Sequence, residues 1–145
     1  MDKQEKSNKA TDFYADYGRF KAYQTPKLNR KQIARFDREF WDKTGCTKEM
    51  AVLEVGCGCG LFLSYLLEKG VGDFLGVDLD PGVRGHLPDG LRDKVVIANI
   101  QDYLDSETRP HLFDRIVMYD VLEHLTPDEG VALLRRLKSV LRRDG

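Results

Sequence analysis

Apolar residues along this chain follow two rhythms, and the change between them falls near Met50. Before it, Phe13, Tyr14, Tyr17, Phe20 and Tyr23 alternate with charges, and Pro26 interrupts the pattern. Leu28, Ile33, Phe36, Phe40 and Trp41 then resume it near helical spacing. That spacing predicts two helical pieces, roughly 11 to 22 and 28 to 43, the second ending at Gly45. After Met50, short apolar segments are each followed by Gly or Asp and then by a helical or loop stretch, which is α/β alternation. Strands are predicted at Met50–Val55, Asp73–Val77, Lys94–Ala98 and Phe113–Tyr119, with a helix at Leu61–Glu68 that Gly70 ends. Pro81–Gly90 holds three Gly and two Pro, so the crossover there should be short or broken. Thr126 as N-cap and Pro127 in the first turn open a last helix that runs to about Arg143. Its predicted apolar face is Val131, Leu134, Leu137, Val140 and Leu141. Strand, helix, strand with short joints requires parallel strands linked by right-handed crossovers. The expected fold class is α/β, an incomplete doubly wound parallel sheet of about four strands preceded by N-terminal helices. By this reading residues 1–11 are a disordered tail, 12–45 a helical cap and 46–145 the sheet-forming part.

Composition narrows the function classes. The chain has 145 residues, 23 Lys plus Arg against 24 Asp plus Glu, a net charge of -1 and 41% apolar content, which suit one domain. No whole-chain field holds a nucleic-acid backbone or an anionic membrane, so neither is an expected partner. The charge is nonetheless uneven: residues 1–50 carry 12 basic and 8 acidic side chains, residues 51–145 carry 11 and 16. Apolar runs such as Val95–Ala98 and Ile116–Tyr119 fall far short of the roughly 20 residues that span a bilayer. The polar Met1–Ala10 is neither a signal peptide nor a lipidation signal, so the cytoplasm is the expected compartment. Cys46, Cys57 and Cys59 are odd in number and read as reduced thiols, and a C-x-C without a spaced second pair argues against a metal site.

The chemistry concentrates after the first strand. Glu54-Val55-Gly56-Cys57-Gly58-Cys59-Gly60 places glycines where the chain must turn tightly and let a ligand touch the backbone. Asp78 closes the second strand about 20 residues on, the offset at which a carboxylate accepts hydrogen bonds from ribose hydroxyls. Asp80, before Pro81, reads as a solvated cap. The G-x-G-x-G spacing departs from the G-x-G-x-x-G of dinucleotide sites, and Glu54 sets an anion beside the pocket. An anion there disfavours pyrophosphate and favours a ligand with positive charge, such as one bearing sulfonium and ammonium groups. In doubly wound sheets such a ligand lies beyond the carboxyl ends of the strands, where the winding reverses.

Three stretches carry a family resemblance. Val52-Leu53-Glu54-Val55-Gly56-Cys57-Gly58-Cys59-Gly60 resembles the first motif of class I S-adenosylmethionine-dependent methyltransferases, which are Rossmann-like, and Gly76-Val77-Asp78 resembles their second-strand acidic motif. Phe113-Asp114-Arg115-Ile116-Val117 with Asp120-Val121-Leu122-Glu123-His124-Leu125 is similar to the fourth-strand motif of one branch, the methyltransferase type 11/12-like enzymes. The resemblance covers about residues 50 to 143. It implies that the backbone of Gly56, Cys57, Gly58 and Gly60 runs beneath the methionine part, with Glu54 bracing the loop or balancing the ammonium group. Asp78 takes the ribose hydroxyls, Leu79 packs on the adenine, and Asn99, with Ile100 and Gln101 after the third strand, stands where the family often has an acidic residue facing the adenine amino group. Tyr119 and Asp120 face the methyl side, and His124, beside Glu123, and Asp120 are the candidate catalytic residues, His124 as a general base for a hydroxyl nucleophile. S-adenosylmethionine is the implied cofactor, S-adenosylhomocysteine its product, and a small molecule the implied acceptor.

A family domain has seven strands, so the resemblance implies a chain truncated after the fourth-strand helix, whose activity alone is in question. Its fourth strand is then an uncovered edge suited to a homodimer. Tyr14, Tyr17 and Phe20 read as an apolar helix face, or as a lid over the site. Arg135, Arg136, Arg142 and Arg143 read as a solvated helix face. Rival readings are a catalytically inactive cofactor-binding or interaction module and an NAD-dependent oxidoreductase.

Overall fold

The structure, a computed structural model, describes residues 22–106 and 112–145. The expected tail at 1–11, the first helical piece and the aromatic residues Tyr14, Tyr17 and Phe20 lie outside the described residues. Strand β1, Ala51–Val55, is buried along its whole length because it runs between two neighbours. On one side lies β2, Asp73–Asp78, on the other β4, Arg115–Met118, and β3, Val95–Ile97, pairs with β2. All pairs are parallel, with Leu53 opposite Leu75 and Ile116, and the order is β3-β2-β1-β4. The chain therefore winds outward from β1 to β3 and then crosses back over to β4. The reversal lies between β1 and β4.

Helices cover both faces. Val52 and Phe74 face α2, Leu61–Glu68, while Leu53, Val55 and Val77 face α3, Ile100–Asp105, and α4, Pro127–Val140. The period of two along β1 thus sends Glu54 to the α2 side with Val52. Two 3-10 turns, Pro81–His86 and Asp89–Lys94, replace the helix between β2 and β3, as the Gly and Pro content predicts.

The segment before the sheet packs on α2. Helix α1, Arg30–Phe36, opens with a capping box between Asn29 and Gln32. It continues through a π-turn at Asp37–Trp41 and a last turn at Asp42–Thr44, and Gly45 closes it with φ of 59°. Phe36 and Phe40 each meet Phe62 edge-on, with ring centroids 5.1 and 5.0 Å apart. Asp37 accepts from the Tyr65 hydroxyl at 2.6 Å and from Lys69 Nζ at 3.0 Å. At the far end, Arg115 Nε and Nη2 donate to the Thr44 carbonyl at 3.0 and 2.6 Å, tying this segment to β4.

The structure corrects the reading of the last helix. Helix α4 stops at Val140, because Leu141 and Arg142 turn extended and bracket Phe113: the Phe113 N–H donates to Val140 O and the Arg142 N–H to Phe113 O, both at 2.8 Å. Its buried stripe is Gly130, Leu133, Leu137 and Val140, whereas Val131 and Leu134 are each 48% exposed. The sheet selects one of two apolar stripes on this helix. Of the four arginines only Arg136 departs from the solvated reading: it is partly buried, donates to the Gln101 side chain and pairs with Asp105, while Arg142 is exposed and pairs with Asp114 at 3.0 Å. Beyond Phe113, the outer edge of β4 has no strand partner among the described residues.

Candidate functional site

The turn after β1 is folded against the end of β2. The Gly56 N–H donates to Val77 O at 2.7 Å, and the Gly58 N–H donates to Asp78 Oδ2 at 2.7 Å. Asp78 Oδ1 accepts from the Asp80 N–H at 2.9 Å, so both carboxylate oxygens are held in orientation. Cys57 turns inward beneath the loop and is buried, which is feasible because Gly76 lies opposite Glu54: a Cβ at Gly76 would meet the Cys57 sulfur at 2.7 Å.

Glu54 is the unusual group. It is 4% exposed, and its Oε2 is buried with no hydrogen-bond partner among the described residues. Burial, and then the nearby Asp78 charge, push its carboxyl well above the usual range, since a lone buried anion is costly. Asp80 corrects the reading of a solvated cap. It does cap the following 3-10 turn, accepting from the Gly82 N–H at 2.7 Å, yet it is 4% exposed and takes the Tyr23 hydroxyl on Oδ2 at 2.6 Å. Burial and that bond to Asp80 raise the Tyr23 phenol above its ordinary value.

These groups surround a cavity of about 570 Å³ at the carboxyl ends of β1, β2 and β4. Glu54, Gly56, Cys57, Gly58, Asp78, Leu79, Asn99, Ile100, Tyr119, Asp120 and His124 all line it. Gly60 does not: it starts α2 with φ of 86° and backs onto Leu91, whose Cδ1 a Cβ would meet at 2.8 Å. Asn99 is exposed and N-caps α3, its Oδ1 accepting from the Gln101 N–H at 2.8 Å. Tyr119 packs its ring against Phe36 and Phe62 at 5.7 and 5.5 Å, and burial, then Glu39 and Glu54, raise its phenol. Asp120 is exposed with φ of 55°, a left-handed backbone unusual outside glycine, and His124 is exposed on the 3-10 turn Leu122–His124. Glu123 lies outside the lining. Among the described residues no group of three His, Cys, Asp or Glu is arranged to hold a metal ion.

Sequence reasoning missed Tyr23, Arg35, Phe36, Phe62, Glu129 and Leu133, which also line the cavity. The aromatic rhythm marked Tyr23 and Phe36, but only long-range contacts bring them to the site: the hydrogen bond of Tyr23 to Asp80 and the packing of Phe36 on Phe62.

The model of a family described as a methyltransferase domain matches residues 52–145. The chain belongs to the methyltransferase-domain family. Solved structures with this fold include a SAM-dependent methyltransferase from Archaeoglobus fulgidus, 29% identical, with a TM-score of 0.59 over 75% of this chain and 46% of that one. Coclaurine N-methyltransferase bound to N-methylheliamine and SAH is 21% identical, with a TM-score of 0.63 over 85% of this chain and 36% of that one. Magnesium protoporphyrin IX methyltransferase from Synechocystis PCC 6803, with bound SAH, is 17% identical, with a TM-score of 0.67 over 94% and 68%. The chain thus spans about half or less of the first two proteins. No curated protein matches it. The methyltransferase fold explains the reversal between β1 and β4 as the place where the cavity opens. No described helix is long and apolar enough to cross a membrane.

Proposed function

We propose that the cavity binds S-adenosylmethionine and that the activity is transfer of its methyl group to a small-molecule acceptor by in-line attack. The observation that carries this reading is the buried, unpartnered Oε2 of Glu54 on the cavity wall. A buried carboxyl that ionises readily only beside a cation fits a cationic ligand, and Asp78 beside it fits a ribose. S-adenosylmethionine, when bound, supplies a methyl carbon on a positively charged sulfur. The residues of the chain do the holding. Asp78 accepts from the ribose hydroxyls, Leu79 and Ile100 flank the adenine, and Asn99 faces its amino edge. The backbone of Gly56, Cys57 and Gly58 passes under the methionine part, and Glu54 balances the ammonium group. Tyr119 and Asp120 border the reacting side, and His124 takes the proton that a hydroxyl acceptor gives up. Most of the acceleration comes from alignment and exclusion of water.

Calorimetry with S-adenosylhomocysteine tests the reading. Asp78→Ala is expected to weaken binding by about tenfold or more, the loss of charge-assisted hydrogen bonds. Unchanged affinity, or stabilisation by NADH in place of S-adenosylhomocysteine, refutes it. A radiolabelled methyl assay separates an enzyme from an inactive binding module. Free thiols at all three cysteines support a reducing compartment such as the cytoplasm. The open outer edge of β4 supports self-association, which sedimentation at rising concentration checks.

A further inference from the structure

Before the sheet begins, the chain touches the cavity at two opposite places. Tyr23 and Arg35 both line it. Tyr23 stands at the end of β2: its hydroxyl donates to Asp80 Oδ2 at 2.6 Å, and the Asp80 N–H donates in turn to Asp78. Arg35 stands beyond β4. Its guanidinium carbon is 4.8 Å from the centroid of the Phe36 ring, which lies 5.7 Å from that of Tyr119. Tyr119 directly follows Met118, the ladder partner of Val55, and so stands level with Gly56 at the start of the glycine loop. Because β2 and β4 flank β1 on opposite sides, residues 23–35 run from the Asp78 end of the cavity to the glycine-loop end.

This segment is held unequally. Past Arg35, Phe36 and Phe40 pack on Phe62, and Asp37 binds Tyr65 and Lys69. Leu28 and Ile33 are half-buried against the same core, whereas Gln24, Thr25 and Lys27 are exposed. The start hangs on the bond of Tyr23 to Asp80 and on a ring contact with His86 at 6.0 Å. Arg35 is weakly engaged as well. Its ion pair runs from Nε to Glu39 at 3.5 Å, between side chains 49% and 40% exposed, and Glu39 is shared with Arg38. Such a pair gives way to a better anion.

That anion is at hand in the proposed cofactor, whose methionine part carries a carboxylate as well as the ammonium group. Glu54, Asp78, Asp80, Asp120 and Glu129 line the cavity, and Arg35 is the one Lys or Arg among the described residues that does. A carboxylate beside the glycine loop therefore has one cation to meet, and the forked N–H groups of a guanidinium match its two oxygens.

We infer that residues 23–35 form a strap that closes over the bound cofactor, drawn down when Arg35 leaves Glu39 for the cofactor carboxylate and latched at its start by Tyr23 on Asp80. This rests on the cofactor reading above and adds which part of the chain moves and which group of the ligand moves it. In the free chain the strap opens from the Tyr23 end, where least holds it. Closed, it shuts water out of the space above the glycine loop.

Amide exchange of residues 23–35 tests the inference, with S-adenosylhomocysteine compared with its decarboxylated form, which keeps the adenosine, the sulfur and the amine. At equal saturation, S-adenosylhomocysteine is expected to slow exchange across the strap by about tenfold relative to the decarboxylated compound, and to bind about tenfold more tightly. In Arg35→Gln both ratios should fall near one, and Arg35→Lys should keep part of each. Tyr23→Phe keeps the ring and loses the latch, so S-adenosylhomocysteine should dissociate about tenfold faster while the preference for the carboxylate persists. Equal protection by the two compounds, a preference that survives in Arg35→Gln, or unchanged dissociation in Tyr23→Phe would overturn the inference. Binding of neither compound to the wild type would take down the cofactor reading, and the strap with it.

Discussion

Replacing Glu54 by Gln separates what the cavity costs from what it does. The two side chains have the same shape, so the change removes a titratable proton and leaves the packing around β1 in place. Glu54 is 4% exposed with an unpartnered Oε2; an amide leaves that position just as unsatisfied, so the two side chains differ in ionisation alone, about 1.4 kcal/mol for each tenfold change in proton affinity. The pH dependence has a definite sign. Burial first, and Asp78 second, raise the folded-state pKa above the ordinary 4.5. Below that ordinary value the folded and unfolded chains are both protonated, and stability is complete. As pH rises past it, the unfolded chain releases the proton while the folded one keeps it, and stability falls until the raised pKa is passed. Glu54→Gln has no such slope. Without ligand, at about pH 7.5, the variant should therefore be more stable than the wild type by more than about 1 kcal/mol, a rise of a few degrees in Tm for a chain of this size. The gap should close towards pH 4.5. With S-adenosylhomocysteine the gap should narrow, because on the proposed reading the variant loses the partner for the ammonium group and about tenfold in affinity, worth at most about 1.4 kcal/mol of ligand stabilisation. Melting curves at both pH values, with and without the ligand, read all four quantities. A variant that melts below the wild type at neutral pH without ligand, or that gains as much from S-adenosylhomocysteine, refutes the reasoning.

Two further substitutions probe the scaffold. Gly76→Ala would drive a methyl group to 2.7 Å from both the Cys57 sulfur and Leu63 Cδ1, and overpacking of that kind should cost about 1–3 kcal/mol in urea unfolding. An unchanged midpoint would mean that the loop is not seated on β2 as described. Arg115→Met removes both hydrogen bonds to the Thr44 carbonyl. Amide exchange across residues 30–44 should then speed up by about tenfold while β1 and β2 keep their protection, whereas uniform acceleration throughout would argue against a local tie.

Most of the sheet is legible in the sequence because its signals are local. Continuous apolar runs marked β1 and β4, Gly and Pro marked the broken crossover, and Thr126 with Pro127 marked the start of α4, where a full capping box with Glu129 forms. The ends of elements were less legible. Phe113 and Tyr119 read as part of the fourth strand, yet the ladder holds only Arg115–Met118, since pairing depends on the neighbour. Helix α4 offers two apolar stripes of similar strength, and only contact with the sheet decides that Leu133 is buried and Leu134 is not. Asp80 shows the same limit: its capping role is written beside Pro81, but its burial comes from Tyr23, 57 residues away.

That contrast extends to the cavity itself and bears on how its chemistry can vary. The walls around Glu54 and Asp78 come from neighbouring parallel strands and the loop between β1 and α2, where Gly76, Cys57 and Asp78 interlock so closely that few substitutions fit. The wall bearing Arg35 and Phe36 comes from α1, which is held by contacts remote from the cavity: Asp37 on Tyr65 and Lys69, and Arg115 on Thr44. Side chains on the exposed turn of α1 can therefore change without disturbing the glycine loop or the strand ends. The two walls therefore differ in what fixes them: strand-end and loop hydrogen bonds hold one, and the aromatic contacts of Phe36 with Phe62 and Tyr119 seat the other.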